Sequence, residues 1–142
     1  MKHIFIILSI TLLSCSSGKD KSNVKYKVLH SGQNASIENK EFILIENNDD
    51  YIAAIEKLNV DESDYENLLN VDFKSNNVCI LFLGERSNGG YSIEVDYIKK
   101  KENALYIKTK EITPQKHSNV IMVITHPYCL ISLPKNKNIV IK

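Results

Sequence analysis

The sequence predicts an α+β chain dominated by β structure: an antiparallel sandwich or partial barrel of about seven or eight strands with two short helices. Three observations lead there. Val78 to Leu83 is an unbroken apolar run bounded by Asn76-Asn77 and Gly84. So short a run suits a strand covered on both faces. From Tyr91 to Tyr97 the pattern changes to period two, with Tyr91, Ile93, Val95 and Tyr97 on one side and Ser92, Glu94 and Asp96 on the other. The second half of the chain then repeats short apolar segments at close intervals, each ended by turn residues.

Taken in order, Val24 to Leu29 alternates and reads as the first strand, with a turn at Ser31-Gly32-Gln33-Asn34. Glu41 to Ile45 reads as the second strand. Asn47-Asn48-Asp49-Asp50 offers several helix caps, and Ile52, Ile55 and Leu58 follow at helical spacing. A short helix over Asp50–Leu58 is therefore expected to lie on the sheet. A second is expected from Ser63, because Ser63 and Glu66 stand in capping-box spacing. Both are too short to persist without packing. After Tyr97, Lys99 to Asn103 reads as a charged hairpin end, and Leu105 to Lys110 alternates again. Ile112 to Ser118 reads as a loop. Asn119 to Thr125, with its Val-Ile-Met-Val-Ile core, reads as a buried strand interrupted by His126-Pro127. Tyr128 to Leu133 and Ile139 to Ile141 complete the set.

The chain has 142 residues, which bounds it to one domain by default. The N-terminus carries an address. Lys2 and His3 precede a ten-residue apolar core, Ile4 to Leu13, too short to span a bilayer as a helix. Small residues and a cysteine follow, as in a secretory signal. Leu12-Leu13-Ser14-Cys15 is similar to the bacterial lipobox, in which the cysteine is acylated and becomes the first residue of the mature protein. The expected organisation is a lipoprotein signal peptide over 1–14, lipidation (palmitate among the acyl groups) at Cys15, a flexible tether over 15–23, and one globular domain over 24–142. Several buried acyl chains anchor far more firmly than one, each CH₂ adding roughly 0.8 kcal/mol. Localisation in the cell envelope follows as an expectation. In a cell with two membranes, Ser16 in place of an aspartate favours the outer membrane.

Removal of residues 1–14 takes away Lys2 and leaves 17 basic against 17 acidic residues. A neutral chain gives no electrostatic case for nucleic acid. His30, His117 and His126 show no HxxxH or HxH spacing, so no metal site is expected. Asp61-Glu62-Ser63-Asp64 lacks the glycine and closing glutamate of a calcium loop and suits a helix start. No GxSxG elbow is present, and Cys79 and Cys129 sit in apolar strand patterns that predict inert thiols. Whether the two form a disulfide is left open by the sequence. No enzymatic activity and no cofactor are expected.

Between the two central strands lies Gly84-Glu85-Arg86-Ser87-Asn88-Gly89-Gly90, which holds the chain's single arginine. Gly89-Gly90 is followed by an alternating strand rather than a helix, so it is not a phosphate loop. It serves either the backbone of a hairpin or bulge or, with Glu85, Arg86, Ser87 and Asn88, a recognition loop on a rigid scaffold. Arg86 would be its anchor.

The order of Val71-Asp72-Phe73, the apolar strand to Gly84, Gly89-Gly90-Tyr91-Ser92-Ile93, Thr113-Pro114 and Thr125-His126-Pro127-Tyr128 resembles the PrcB C-terminal family, over roughly residues 71–134. That family takes its name from a subunit of a bacterial surface protease complex. The resemblance implies an exported, often lipid-anchored, non-catalytic protein associated with the stability or assembly of a protease. It transfers no catalytic residue. Gly89, Gly90, Tyr91, Pro127 and Tyr128 match as structural motif positions. The expected partners are a membrane, through the lipid, and another exported protein bound through loops 84–90, 112–118 and 125–127. The alternative is a small-ligand or glycan-binding module, with Tyr26, Tyr91, Tyr97, Tyr106 and Tyr128 as a platform.

Overall fold

The computed structural model describes residues 23–116 and 118–142. The expected signal peptide 1–14, the lipidation site Cys15, the tether up to residue 22, and His117 lie outside the described residues.

Seven strands form two sheets. They are β1 (Lys27–Gly32), β2 (Glu41–Ile45), β3 (Asn76–Phe82), β4 (Ser92–Lys101), β5 (Ala104–Ile112), β6 (Tyr128–Pro134) and β7 (Asn138–Ile141). The first sheet has the order β1-β6-β3-β2 and is antiparallel throughout. The second has the order β4-β5-β7, where β7 joins β5 in parallel. Two short helices, α1 (Asn48–Ile55) and α2 (Glu62–Leu68), separate β2 from β3, and a 3₁₀ turn over Glu56–Leu58 extends α1. The molecule is a mostly β sandwich with helices on one outer face, and neither sheet closes into a barrel.

The apolar run in β3 is explained by cover on both faces. Val78, Ile80 and Phe82 point to the helices, where they meet Tyr51, Ile55, Leu58, Leu68 and, from β6, Tyr128 and Leu130. Cys79, Leu81 and Leu83 point to the second sheet, with Cys129, Ile131 and Leu133 of β6 and Ile93, Ile98, Leu105 and Ile107 opposite. β3 and β6 therefore belong to two cores at once, and neither strand can show alternation in its sequence.

Cys79 pairs with Ile131 and Leu81 with Cys129, so the two cysteines are diagonal neighbours on one face. Both are free and buried. Diagonal positions lie roughly 7–8 Å apart, beyond the usual disulfide span.

Four local expectations are corrected. β1 begins at Lys27, not Val24; Val24 and Tyr26 instead pack on the second core before the strand starts. The cap of α2 is Asp61, with no side-chain cap bond, so Ser63 falls inside the helix, where its carbonyl accepts from the Asn67 side-chain Nδ2. In β4 the register slips between Val95 and Tyr97, leaving Asp96 without a partner position in β5. This bulge turns Tyr97 away from the core and puts Ile98 there instead. Tyr97 receives the Lys99 ammonium 4.7 Å from its ring centre.

The fourth correction is the largest. Residues 119–125 form no strand between the sheets. Ile121, Met122, Val123 and Ile124 are 75, 83, 50 and 60% exposed. They run along the loop 84–90, which supplies backbone partners on one side and no cover.

Candidate functional site

The end of β3 leaves the sheet at Leu83, whose amide donates to the Pro127 carbonyl at 2.9 Å. Gly84 then makes the turn with φ +83°. A Cβ here would lie 2.8 Å from the Glu38 carbonyl oxygen and 2.9 Å from the Lys40 nitrogen, so the backbone of residues 38–40 occupies the space a side chain would need. Glu85 amide donates to that same Glu38 carbonyl at 2.9 Å. The loop thus starts clamped between two segments.

Arg86 continues the clamp. Its amide donates to Thr125 O at 2.8 Å and its carbonyl accepts from Thr125 N at 2.9 Å, a two-way bridge. Its guanidinium donates from Nε and Nη2 to Glu111 Oε1 at 3.3 and 3.1 Å, and from Nη1 to the Glu85 carbonyl at 2.8 Å. The same group lies 5.6 Å from the Tyr91 ring centre. Arg86 therefore ties the loop to β5 and to the start of β4. Glu85, Ser87 and Gly90 are the exposed residues of the segment, and Asn88 is half-buried. Glu85 stands 3.6 Å from His126 Nε2.

Thr125 is buried, and its hydroxyl donates to Asn88 O at 3.0 Å. Gly89 amide donates to Ile121 O at 2.9 Å. Gly90 has φ +87°, while Gly89 does not use a positive φ. Gly90 sits under Pro114, whose Cγ would be 3.1 Å from an added Cβ. Tyr91 carbonyl accepts from Gln33 Nε2 at 2.9 Å, and Gln33 carbonyl accepts from the His126 amide at 2.7 Å. His126-Pro127 is therefore a junction between β1, β3 and the loop, with all described peptide bonds trans. Tyr128 is buried at the start of β6, its ring against Gly32, and its hydroxyl lies 3.5 Å from the Leu58 carbonyl.

The structure thus brings loop 84–90 and residues 119–127 into one surface at one end of the sandwich, with Pro114 against Gly90. Its exposed face combines Glu85, Ser87 and the apolar side chains of 121–124. Of the loop Glu85 to Asn88 that the sequence singles out, Glu85 and Ser87 are exposed while Arg86 and Asn88 are half-buried, and the exposed run 121–124 is the segment read from sequence as a buried strand. An apolar run has the same composition whether covered or not, and Pro127 marks only where pairing stops.

The five tyrosines do not converge. Tyr128 is buried, Tyr26 and Tyr91 pack on the second core, and Tyr97 and Tyr106 line one groove of about 130 Å³ with Lys99, Lys101 and Lys108. A larger, mostly apolar groove of about 520 Å³ runs between α1 and the β2–β3 edge, lined by Ile37, Ile43, Ala53, Leu58, Ile80 and Phe82.

Burial pushes the Cys79 thiol up to about 12 and the Cys129 thiol up to about 11, so neither is a nucleophile at neutral pH. Among the described residues no cluster of three or more His, Cys, Asp or Glu side chains is arranged to hold a metal ion. What this end of the molecule offers is a mixed polar and apolar surface, its two segments joined by main-chain bonds between Arg86 and Thr125 and from Gly89 to Ile121.

No curated protein and no solved structure matches the chain. Residues 78–134 match the model of the family described as PrcB C-terminal. The matched stretch runs from the first buried residues of β3 through loop 84–90, β4, β5 and the 119–127 segment to the end of β6. Over that stretch, which holds most of both central strands and the whole loop surface, the chain is similar to the PrcB C-terminal family.

Proposed function

We propose that this protein is a non-catalytic, lipid-anchored component of the cell envelope that binds another exported protein, a protease in the leading case, and stabilises it. The observation that carries this reading is the exposed run Ile121 to Ile124, joined to loop 84–90 through Ile121 and the adjoining Thr125. Contiguous apolar side chains rimmed by polar groups are a usual mark of a protein contact. The family's name, from a protease complex subunit, supports the choice of partner class. The Leu12-Leu13-Ser14-Cys15 sequence supports the anchor.

The test uses immobilised residues 23–142, which hold every strand, helix and core residue described above, against detergent-solubilised envelope. The variant Met122→Asp/Ile124→Asp runs alongside. Both positions are mostly exposed, so the variant is expected to keep its fold. One exported protein retained by the wild type and lost by the variant is the expected result. Its abundance is also expected to fall in cells lacking this chain. Equal retention by both proteins would remove the 121–124 surface from the interface. Metabolic labelling with palmitate, lost in Cys15→Ala, tests the anchor separately.

A second reading, binding of a small apolar ligand, draws on the groove of about 520 Å³ beside α1. Saturable uptake of a fluorescent fatty acid, abolished by Ala53→Trp in the groove lining, would favour it.

A further inference from the structure

The sandwich has four edge strands, and they are not equally protected. β1 carries a register shift between Val28 and His30, and β4 one between Val95 and Tyr97. Such bulges twist an edge away from further pairing. β7 is a four-residue strand paired in parallel. β2 pairs with β3 in unbroken register from Glu41 to Ile45, and its other side ends the sheet. It has no proline, its one charged residue, Glu41, is exposed at its start, and Phe42 and Ile43 are 43 and 38% exposed.

The ends of this edge and the face holding Phe42 and Leu44 complement themselves. Read antiparallel about Ile43, the stretch Lys40-Glu41-Phe42-Ile43-Leu44-Ile45-Glu46 sets Phe42 opposite Leu44, Glu41 opposite Ile45, and Lys40 opposite Glu46. A two-fold axis repeats each pairing, so two Lys–Glu pairs close the ends and two Phe–Leu pairs fill one face. Pairing centred on a residue is compatible with either set of outward-facing backbone groups. The exposed Phe42 and Ile43 side chains would both be covered.

We propose that β2 is a dimerisation edge, joining two copies of this chain through an antiparallel β2–β2 pairing centred on Ile43 into one continuous eight-stranded sheet (twice the four strands of the first sheet). The strand is short, so the dimer is weak and forms at high local concentration, as on a membrane surface. The pairing uses no residue of the 84–90 and 119–127 surface. It stands whether or not that surface binds a partner.

The test is sedimentation equilibrium of residues 23–142 up to millimolar concentration. Wild type is expected to show a concentration-dependent dimer. Lys40→Glu and Glu46→Lys, each placing like charges together at both ends of the pairing, are expected to weaken it about tenfold. The double variant Lys40→Glu/Glu46→Lys is expected to recover wild-type association to within about threefold, since the pairs re-form with signs exchanged. That recovery separates a cross-strand pairing from a loss of fold. Ile43→Lys, which sets a charge against itself at the axis, is expected to leave a monomer with an unchanged circular dichroism spectrum. A wild type that stays monomeric throughout overturns the proposal. So does a dimer indifferent to both single reversals, or one that the double variant does not restore.

Discussion

Gly84, Gly89 and Gly90 look alike in the sequence and do different work in the fold. Gly84 needs both a left-handed backbone and the absent Cβ, because the Glu38 carbonyl oxygen sits 2.8 Å from where that atom would be. Gly90 needs the left-handed backbone and has Pro114 close by, whereas Gly89 has only ordinary contacts at 3.7 Å and beyond. Alanine at Gly84 is expected to cost about 3 kcal/mol, summing strain and displaced backbone. At Gly90 the cost is about 1–2 kcal/mol, and at Gly89 under about 0.5 kcal/mol. Urea unfolding of the three variants measures the order; equal losses at Gly84 and Gly89 would contradict it. Tyr51 gives the opposite case. It is fully buried in the helix-side core, and its hydroxyl has no hydrogen-bond partner among the described residues. Tyr51→Phe removes an unsatisfied polar atom without opening a cavity, so stability is expected to rise by up to about 1 kcal/mol, read in the same unfolding assay.

At the scale of elements, legibility followed periodicity. β3 and β6 were readable because their residues are apolar where both sides are covered, and β5 because it alternates. β4 was readable until Asp96, where one extra residue exchanged Tyr97 for Ile98 on the core face; Tyr-Ile is apolar at both positions, so composition could not signal the slip. Residues 121–124 failed for a different reason. Burial is a property of what lies opposite, and among the described residues nothing covers this run. The polar half of the candidate surface was legible from Gly84 to Gly90, but the tie from Arg86 to Glu111, 25 residues away, was not. The contrast can be measured. Met122→Asp is expected to change stability by less than about 0.5 kcal/mol, while Ile80→Ala in β3 is expected to cost about 2–5 kcal/mol. If Met122→Asp unfolds the protein, the run is covered and the contact surface proposed for it does not exist.

For the whole molecule, the decisive feature is that β3 and β6 serve two cores, one against the helices and one against the second sheet. Each core holds acidic protons out of water. Burial raises the Tyr51 and Tyr128 phenols to about 12 on the helix side, with Asp64 and Asp61 adding to the rise at Tyr128. On the sheet side burial raises Cys79 to about 12, with Cys129 adding to it, and Cys129 to about 11. The sign follows from linkage. Above the ordinary thiol value of 9.0 the unfolded chain loses protons that the folded chain keeps, so stability falls as pH rises. The stabilisation is fully present below 9.0, and its loss is complete only once pH has passed the raised values near 11 and 12. The urea midpoint is therefore expected to decline steadily from pH 9 upward. In Cys79→Ala/Cys129→Ala the onset is expected to move toward 10.0, the ordinary phenol value, because only the tyrosines then remain. Since both cysteines face the second sheet and both tyrosines face the helices, the two steps report the two cores separately. A wild-type midpoint flat across this range would mean that these groups titrate alike in the folded and unfolded chain, and that neither core excludes water as the packing requires.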